Sequence, residues 1–253
     1  AETAKKLIEA AGGTQTLIVD NGLLEIDLSP WSGLTAEEVR QRFPNEFKVW
    51  KEEPQALVLR NNQRDLFKPL EELMKQAELF LKNLFKNHST GNETILIVAH
   101  NAILRCLILN LMRSSAQDFR RLRLDNASLS VFNIFSHQEN SYEVQVECMN
   151  STVHLTQSIP AKGDSARIIL VRHGETDWNQ QGRFQGQIDI PLNKNGYKQA
   201  SAAGNFLRNV KLDKAYSSSM SRPRETAEMI LKNHKNIELS LENDLKEINH
   251  GLW

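Results

Sequence analysis

The sequence predicts an α/β protein: a three-layer α/β/α sandwich around a mostly parallel central sheet. Two continuous apolar runs, TILIVA at 94–99 and RIILV at 167–171, have the length and β-branched content of strands buried on both faces. Segments with apolar residues at helical spacing alternate with such runs. That alternation is the mark of parallel pairs joined through helices.

Taken in order, residues 2–12 read as an amphipathic helix stopped by Gly12-Gly13, and Thr16–Val19 as a short strand. Thr35–Phe43 is predicted helical, with Thr35 as N-cap and Glu38 three residues on, the capping-box arrangement. Leu70–Asn87 alternates apolar and charged residues over a long helix. Thr94–Ala99 is a buried strand and Ala102–Met112 the helix after it. Ser128–Phe135 and Tyr142–Cys148 are two more strands joined through the polar SHQENS segment. Residues 157–165 (QSIPAKGDS) have the composition of a linker. The strand Arg167–Val171 opens the remainder. A helix over Asn195–Val210, a strand over Lys214–Ser218 and a helix over Arg224–Lys232 follow.

Bulk properties narrow the function. The chain has 253 residues, 40% of them apolar, enough for one large domain or two modest ones. Basic and acidic residues balance at 31 each, so no global field draws the protein to nucleic acid or anionic membrane. The longest apolar stretch, Ile95 to Met112, is interrupted by His100, Asn101, Arg105 and Asn110, which argues against a membrane span. The first residues lack the basic-then-apolar order of a signal peptide. Two cysteines, Cys106 and Cys148, give no disulfide framework, and a soluble, cytoplasmic protein is expected. Neither clustered cysteines, an HExxH motif nor a P-loop is present, so no metal or cofactor is expected.

One internal repeat stands out. Residues 2–31 begin ETAKKLIEAA and contain LLEIDLSPW, while residues 225–253 begin ETAEMILKNH and contain LKEINHGLW. Glu25 and Glu247 occupy matching places, as do Trp31 and Trp253. Matched landmarks at nearly equal spacing suggest a duplicated domain, cut at equivalent points.

The chemistry concentrates at strand ends. The run 167–171 leads directly into Arg172-His173-Gly174-Glu175-Thr176, and ligands of open α/β sheets bind beyond the carboxyl ends of strands. Arginine beside histidine suits phosphate, because the guanidinium binds its oxygens while neutral imidazole attacks phosphorus. The run 94–99 leads likewise into His100-Asn101. Residues 217–227 (SSSMSRPRETA) run into a helix, whose free N–H groups and dipole, with Arg222, suit an anion, a solvated arginine pair at a helix cap being the ordinary alternative for such residues.

Together these motifs resemble the histidine phosphatase superfamily, which includes cofactor-dependent phosphoglycerate mutases and small-molecule phosphatases. The span VRHGETDWNQQGRFQGQIDIPLNKNGYKQA (171–200) is similar to the family's first signature almost throughout. SSSMSRPRETA resembles its second-arginine motif, with Pro223 where alanine is usual. VAHNAILR (98–105) resembles its second-histidine motif, and CMNSTVHL (148–155) a typical end of the domain. The resemblance implies a phosphoglycerate mutase-like fold in which His173 takes the phosphoryl group, held by Arg172, Arg222 and His100. Thr176, Asn179, Gln185 and Gly186 match positions lining the phosphate pocket, and Asn101 adjoins it as a substrate-binding candidate. The family's acid corresponds to either Glu25 or Glu247.

The order is unusual. In the family the RHG motif comes first and the second histidine late, whereas here the late part (1–155) precedes the early part (167–253) across residues 156–166. The simplest account is a stretch of a tandem two-domain protein, whose two parts form one composite, circularly permuted domain. The duplicated arms then compete for one slot, and Glu25 is favoured because its arm continues into the following chain. Exchange of halves between two chains, giving a homodimer, is the rival arrangement. The expected partner is a small phosphorylated metabolite, and the expected activity a phosphatase acting on phosphomonoesters, sugar phosphates among them. QGRFQGQIDIPL, LLEIDLSPW and LKEINHGLW look phosphatase-like. Phosphoglycerate mutase and a non-catalytic phosphate-binding module are the alternatives.

Overall fold

The computed structural model describes residues 1–60, 65–88, 93–138, 141–156, 158–160 and 166–251. The chain divides into two compact units, Ala1–Ser151 and Thr152–Trp253. The calls on residues 157 and 161–165 of the linker, and on Trp253 of the repeat, lie outside the described residues.

The first unit starts with α1 (Glu2–Ala10), closed by Gly13 N–H donating to the Ile8 carbonyl, followed by 3₁₀ turns at Asn21–Leu23 and Ser29–Trp31. Then come α2 (Ala36–Arg42) and α3 (Pro44–Glu52). The capping box forms as read: the Glu38 amide donates to Thr35 Oγ1 at 3.2 Å and the Thr35 amide to Glu38 Oε2 at 2.8 Å. Helix α3 was not anticipated; Pro44 starts it, tolerated there because the first helical position needs no N–H. Two short strands, β1 (Leu59–Arg60) and β2 (Leu66–Phe67), pair antiparallel.

Helix α4 (Pro69–Asn87) and α5 (Asn101–Leu111) build the principal core. Leu70, Leu73, Ala77, Phe80 and Leu81 form one stripe of α4, at helical spacing, against Ala102, Ile103 and Cys106 of α5, with Phe119 beside them. Burial of the Cys106 thiol pushes its pKa up to about 12, so it sits there as a small apolar group. The hairpin of β3 (Leu129–Gln138) and β4 (Ser141–Ser151) completes the unit, each strand longer than its apolar run suggested.

The second unit contains the single-turn helix α6 (Asp177–Gln180), α7 (Lys194–Leu207), β5 (Ala215–Ser218), α8 (Ser221–Leu231) and β6 (Leu239–Glu242). Gly204 lets α7 and α8 meet closely, since a Cβ there would stand 3.1 Å from the Ile230 Cα. Strands β5 and β6 pair in parallel. Helix α8 begins three residues before the expected Arg224, which puts Arg222 inside its first turn.

The central sheet is the main correction. Among the described residues the strands form three separate two-stranded sheets. Thr16–Val19, Thr94–Ala99 and Arg167–Val171, all read as strands, are extended but belong to no sheet. Each run turns apolar side chains outward: Ile18 is 76% exposed, Leu96 65% and Leu170 89%. Composition and length identify a segment that suits a buried strand. They do not supply the flanking strands whose N–H and C=O groups would complete the ladder. Among the described residues, no helix is long and apolar enough to cross a membrane.

Candidate active site

In the second unit the RHG segment is held by its own backbone neighbours. Gly174 donates its N–H to Thr226 Oγ1 of α8 at 3.1 Å, and that hydroxyl donates to the Arg222 carbonyl at 2.8 Å. A Cβ on Gly174 would fall 2.5 Å from the Gly196 carbonyl oxygen, so only glycine lets this loop lie against the start of α7. Asn193 caps α7 by accepting from the Gly196 N–H at 2.8 Å, and donates to the Glu175 carboxylate at 2.9 Å.

This mounting fixes the His173 ring. Its Nδ1 lies 2.7 Å from the Gly174 carbonyl oxygen, a partner that only accepts, so the ring proton is at Nδ1. Nε2 therefore carries the lone pair, and Arg222 Nε donates to it at 3.2 Å. Burial holds the His173 pKa below its ordinary value, with the Arg222 and Arg172 charges acting the same way and the Gly174 hydrogen bond and Glu247 opposing. The histidine is thus neutral at neutral pH and its free nitrogen meets a cation.

Arg222 is itself held rigidly. It is 2% exposed, and its two terminal nitrogens donate to the Ile188 carbonyl at 3.1 Å and the Gly186 carbonyl at 2.7 Å. The helix start bearing it is capped by Asp189, which accepts from the Ser221 N–H at 2.7 Å and the Ser221 hydroxyl at 2.8 Å. Pro223 falls in the first turn, where no intrahelical donor is lost.

Thr176 is fully buried and forms a reciprocal cap with Asn179, while its hydroxyl lies 2.8 Å from Gln185 Oε1 and donates to it. Thr176, Asn179 and Gln185 are therefore one hydrogen-bonded group. Gly186 has φ +49°, and a Cβ there would stand 2.5 Å from His250 Cδ2 and 2.9 Å from the Ile248 carbonyl oxygen. Its smallness admits the segment carrying Glu247, whose carbonyl accepts from Gln187 Nε2 at 2.9 Å. Thr226, Asp189 and Gln187 escaped the sequence reading. Only the helix-start segment around Arg222 pointed near Thr226.

The first unit presents a different set. His100 is the N-cap of α5 and is exposed. Glu25 reaches the same helix start: its carboxylate accepts from the Ala102 N–H at 3.1 Å, the Ile103 N–H at 3.1 Å and the Ile26 N–H at 2.8 Å. An anion there complements the positive end of the helix. Gln76 of α4, also unread in the sequence, anchors the arm by donating to the Leu24 carbonyl at 2.9 Å and the Gly22 carbonyl at 3.2 Å. Asn101 donates to the Leu124 carbonyl at 2.9 Å, which ties down the chain after α5. The structure thus gathers Glu25, His100 and Asn101 in one unit. Arg172, His173, Thr176, Asn179, Gln185, Gly186, Arg222 and Glu247 belong to the other.

Comparison with known proteins agrees with this chemistry. The description "Histidine phosphatase superfamily (branch 1)" matches residues 1–146 and 168–253, most of the chain. Phosphoserine phosphatase 1 of Hydrogenobacter thermophilus is 41% identical over 87 residues, 34% of this chain and 41% of that protein. 2-Carboxy-D-arabinitol-1-phosphatase of Triticum aestivum is 28% identical over 221 residues, 85% of this chain and 42% of that protein. The chain therefore spans about two fifths of the length of these relatives. A solved structure of Bacillus stearothermophilus YhfR aligns over 58% of this chain and 67% of its own, at 23% identity and a TM-score of 0.48. The chain belongs to the histidine phosphatase superfamily.

Proposed function

We propose that this member of the superfamily hydrolyses small phosphomonoesters through a phosphohistidine on His173. One observation carries the reading: a neutral imidazole, its proton fixed at Nδ1, offers Nε2 beside the buried Arg222 guanidinium. Nε2 attacks phosphorus, and the P–O ester bond breaks as the leaving oxygen takes a proton from a carboxyl group. Water then attacks the phosphohistidine, returning a proton to the carboxylate and releasing phosphate with the free histidine. Arg172 and Arg222 compensate the charge on the phosphoryl oxygens throughout, which is most of what such a transfer requires. Thr176, Asn179 and Gln185 position donors around the same group.

The second histidine and the acid come, on this reading, from residues 1–155. His100 adds a second imidazole to the phosphoryl group, and Glu25 supplies the proton from the same helix start. Phosphatases and phosphoglycerate mutases both stand among the relatives, so ester hydrolysis is tried first, with sugar phosphates among the substrates, and isomerisation is its control.

The test is phosphate release from a panel of phosphomonoesters, set against isomerisation of 3-phosphoglycerate, for the natural chain and for His173→Ala. Release that disappears in the variant supports the reading. Isomerisation without release assigns the mutase activity instead. A folded natural chain that does neither, and takes no label at His173 from a reactive phosphodonor, leaves only a phosphate-binding role.

A further inference from the structure

The histidine and the cation beside it are mounted on different parts of the second unit. His173 stands in the loop after the run 167–171, and Arg222 in the first turn of α8. Each side chain has its own clamp: the Gly174 carbonyl oxygen lies 2.7 Å from His173 Nδ1, and the Gly186 and Ile188 carbonyls hold the Arg222 guanidinium. Those clamps fix each group in its own surroundings. The 3.2 Å contact from Arg222 Nε to His173 Nε2 also needs the two mountings fixed against each other.

One hydroxyl joins them. Thr226 Oγ1 accepts from the Gly174 N–H at 3.1 Å and donates to the Arg222 carbonyl at 2.8 Å. It thus bonds the backbone of the residue after the histidine and the backbone of the arginine itself. Among the described residues, no other hydrogen bond runs from residues 172–176 to α8 besides the His173–Arg222 contact. Thr226 is 4% exposed, so bulk water does not compete for either bond. Donation to the carbonyl four residues back is an ordinary habit of a helical threonine. The bond from Gly174 is no part of that habit, since it reaches across 52 residues of chain. The repeat offers a comparison within the molecule. Glu2-Thr3-Ala4 of α1 has the same residues as Glu225-Thr226-Ala227 of α8, yet Thr3 is exposed.

We propose that Thr226 is a positioning residue for the phosphoryl transfer, its hydroxyl setting the His173 ring against the Arg222 guanidinium. It acts through Gly174 and Arg222 rather than on the phosphoryl group. Without the hydroxyl, the buried Gly174 N–H has no acceptor, and the loop must turn to find one. That turn moves the Gly174 carbonyl, which anchors Nδ1, and with it the Nε2 lone pair facing Arg222. Arg172 and Glu247, the other charged groups whose fields reach the ring, are left in place.

The inference rests on the phosphatase reading, and two readouts keep the two apart. The first needs no turnover: the NMR signals of the ring nitrogens in histidine-labelled chain. The natural chain is expected to show His173 as a single neutral tautomer with its proton at Nδ1. Thr226→Val, which keeps the shape and removes the hydroxyl, should show a mixture of tautomers, and Thr226→Ser the single form. The second readout is kcat and KM on p-nitrophenyl phosphate. A misplaced nucleophile is expected to cost roughly ten- to a hundredfold in kcat. KM should stay nearly unchanged, because Arg172 and Arg222 are still present, and serine should restore most of the rate. Circular dichroism and a melting curve check folding. If Thr226→Val does not fold, Thr226→Ala against Thr226→Ser makes the same comparison, since those two differ by the hydroxyl alone. A single Nδ1–H tautomer with natural kcat, in a folded variant lacking the hydroxyl, overturns the proposal and leaves the phosphatase reading standing. A loss of rate with the tautomer unchanged, which serine fails to restore, overturns it as well. A tautomer mixture in the variant, when the natural chain hydrolyses no phosphomonoester, keeps the role of Thr226 on the His173 ring and removes the phosphatase reading.

Discussion

Residues 20–26 and 242–248 trace the same local path and end in different company. Each opens on an extended residue, Asp20 at φ −126°, ψ 129° and Glu242 at φ −118°, ψ 125°. Each makes one 3₁₀ turn and leaves it extended, Leu24 at φ −63°, ψ 149° and Lys246 at φ −65°, ψ 151°. In each, the glutamate that follows accepts from the next residue's N–H, at 2.8 Å for Glu25 and 2.9 Å for Glu247. Beyond that bond they diverge. Glu25 takes two amides at the head of α5, whereas Glu247 is exposed and is held through its backbone by Gln187. The helices ahead of them diverge as well: Thr226 of α8 holds the RHG loop, while Thr3 of α1 is exposed. A repeat conserves what the local chain dictates, and tertiary neighbours assign each copy its work.

The largest expected effect tests which unit carries the nucleophile. His173→Ala is expected to lose roughly a thousandfold or more in kcat, the scale of removing a covalent catalyst. Phosphodonor label should vanish with it and persist in His100→Ala. Label that survives in His173→Ala reverses the assignment of the two histidines.

Next comes the contrast between the glutamates. Glu25→Gln is expected to lower kcat on alkyl phosphates by roughly a hundredfold or more, as loss of a general acid does. The deficit should shrink on p-nitrophenyl phosphate, whose leaving group needs no proton. If Glu247→Gln shows that pattern and Glu25→Gln does not, the acid belongs to the other arm.

The pH profile gives a smaller, directional effect. Because His173 is held below its ordinary value of 6.5, kcat/KM should persist below that pH and fall only on further acidification. Stability follows the same sign. Where the unfolded chain binds this proton and the native one does not, acidification costs stability, and the contribution present above 6.5 is lost as pH falls through the native value. An acid limb centred above 6.5 contradicts the buried, cation-flanked setting.

The smallest effect separates the arms in stability alone. Removing the Glu25 carboxylate as Glu25→Ala should cost about 1 kcal/mol, the worth of a helix cap. Glu247→Ala should stay within about 0.5 kcal/mol, as for an exposed site. Urea melts of the two variants read the difference, and equal losses would mean that Glu25 does not cap α5.

What was legible in the sequence follows the range of the forces involved. The Thr35–Glu38 box, the α4 stripe and the RHG segment itself were readable because neighbours within a few residues decide them. So were His173 and Arg222 as a pair, through motif chemistry. Three strands were over-read, since an apolar run announces suitability for a sheet and not the presence of one. Asp189 capping Ser221 across 32 residues, and Gln76 gripping the Glu25 arm across 52, left no local trace.

The sequence by itself determined the family, the nucleophile candidate and the duplicated arm, because short-range pattern and residue chemistry suffice for each. The tertiary structure alone decided that His173 bears its proton at Nδ1, that Glu25 caps α5, and that Thr226 of α8 holds the RHG loop. Those properties depend on which distant backbone carbonyls and amides arrive within 3 Å or so of a side chain, and that is fixed only when the elements pack.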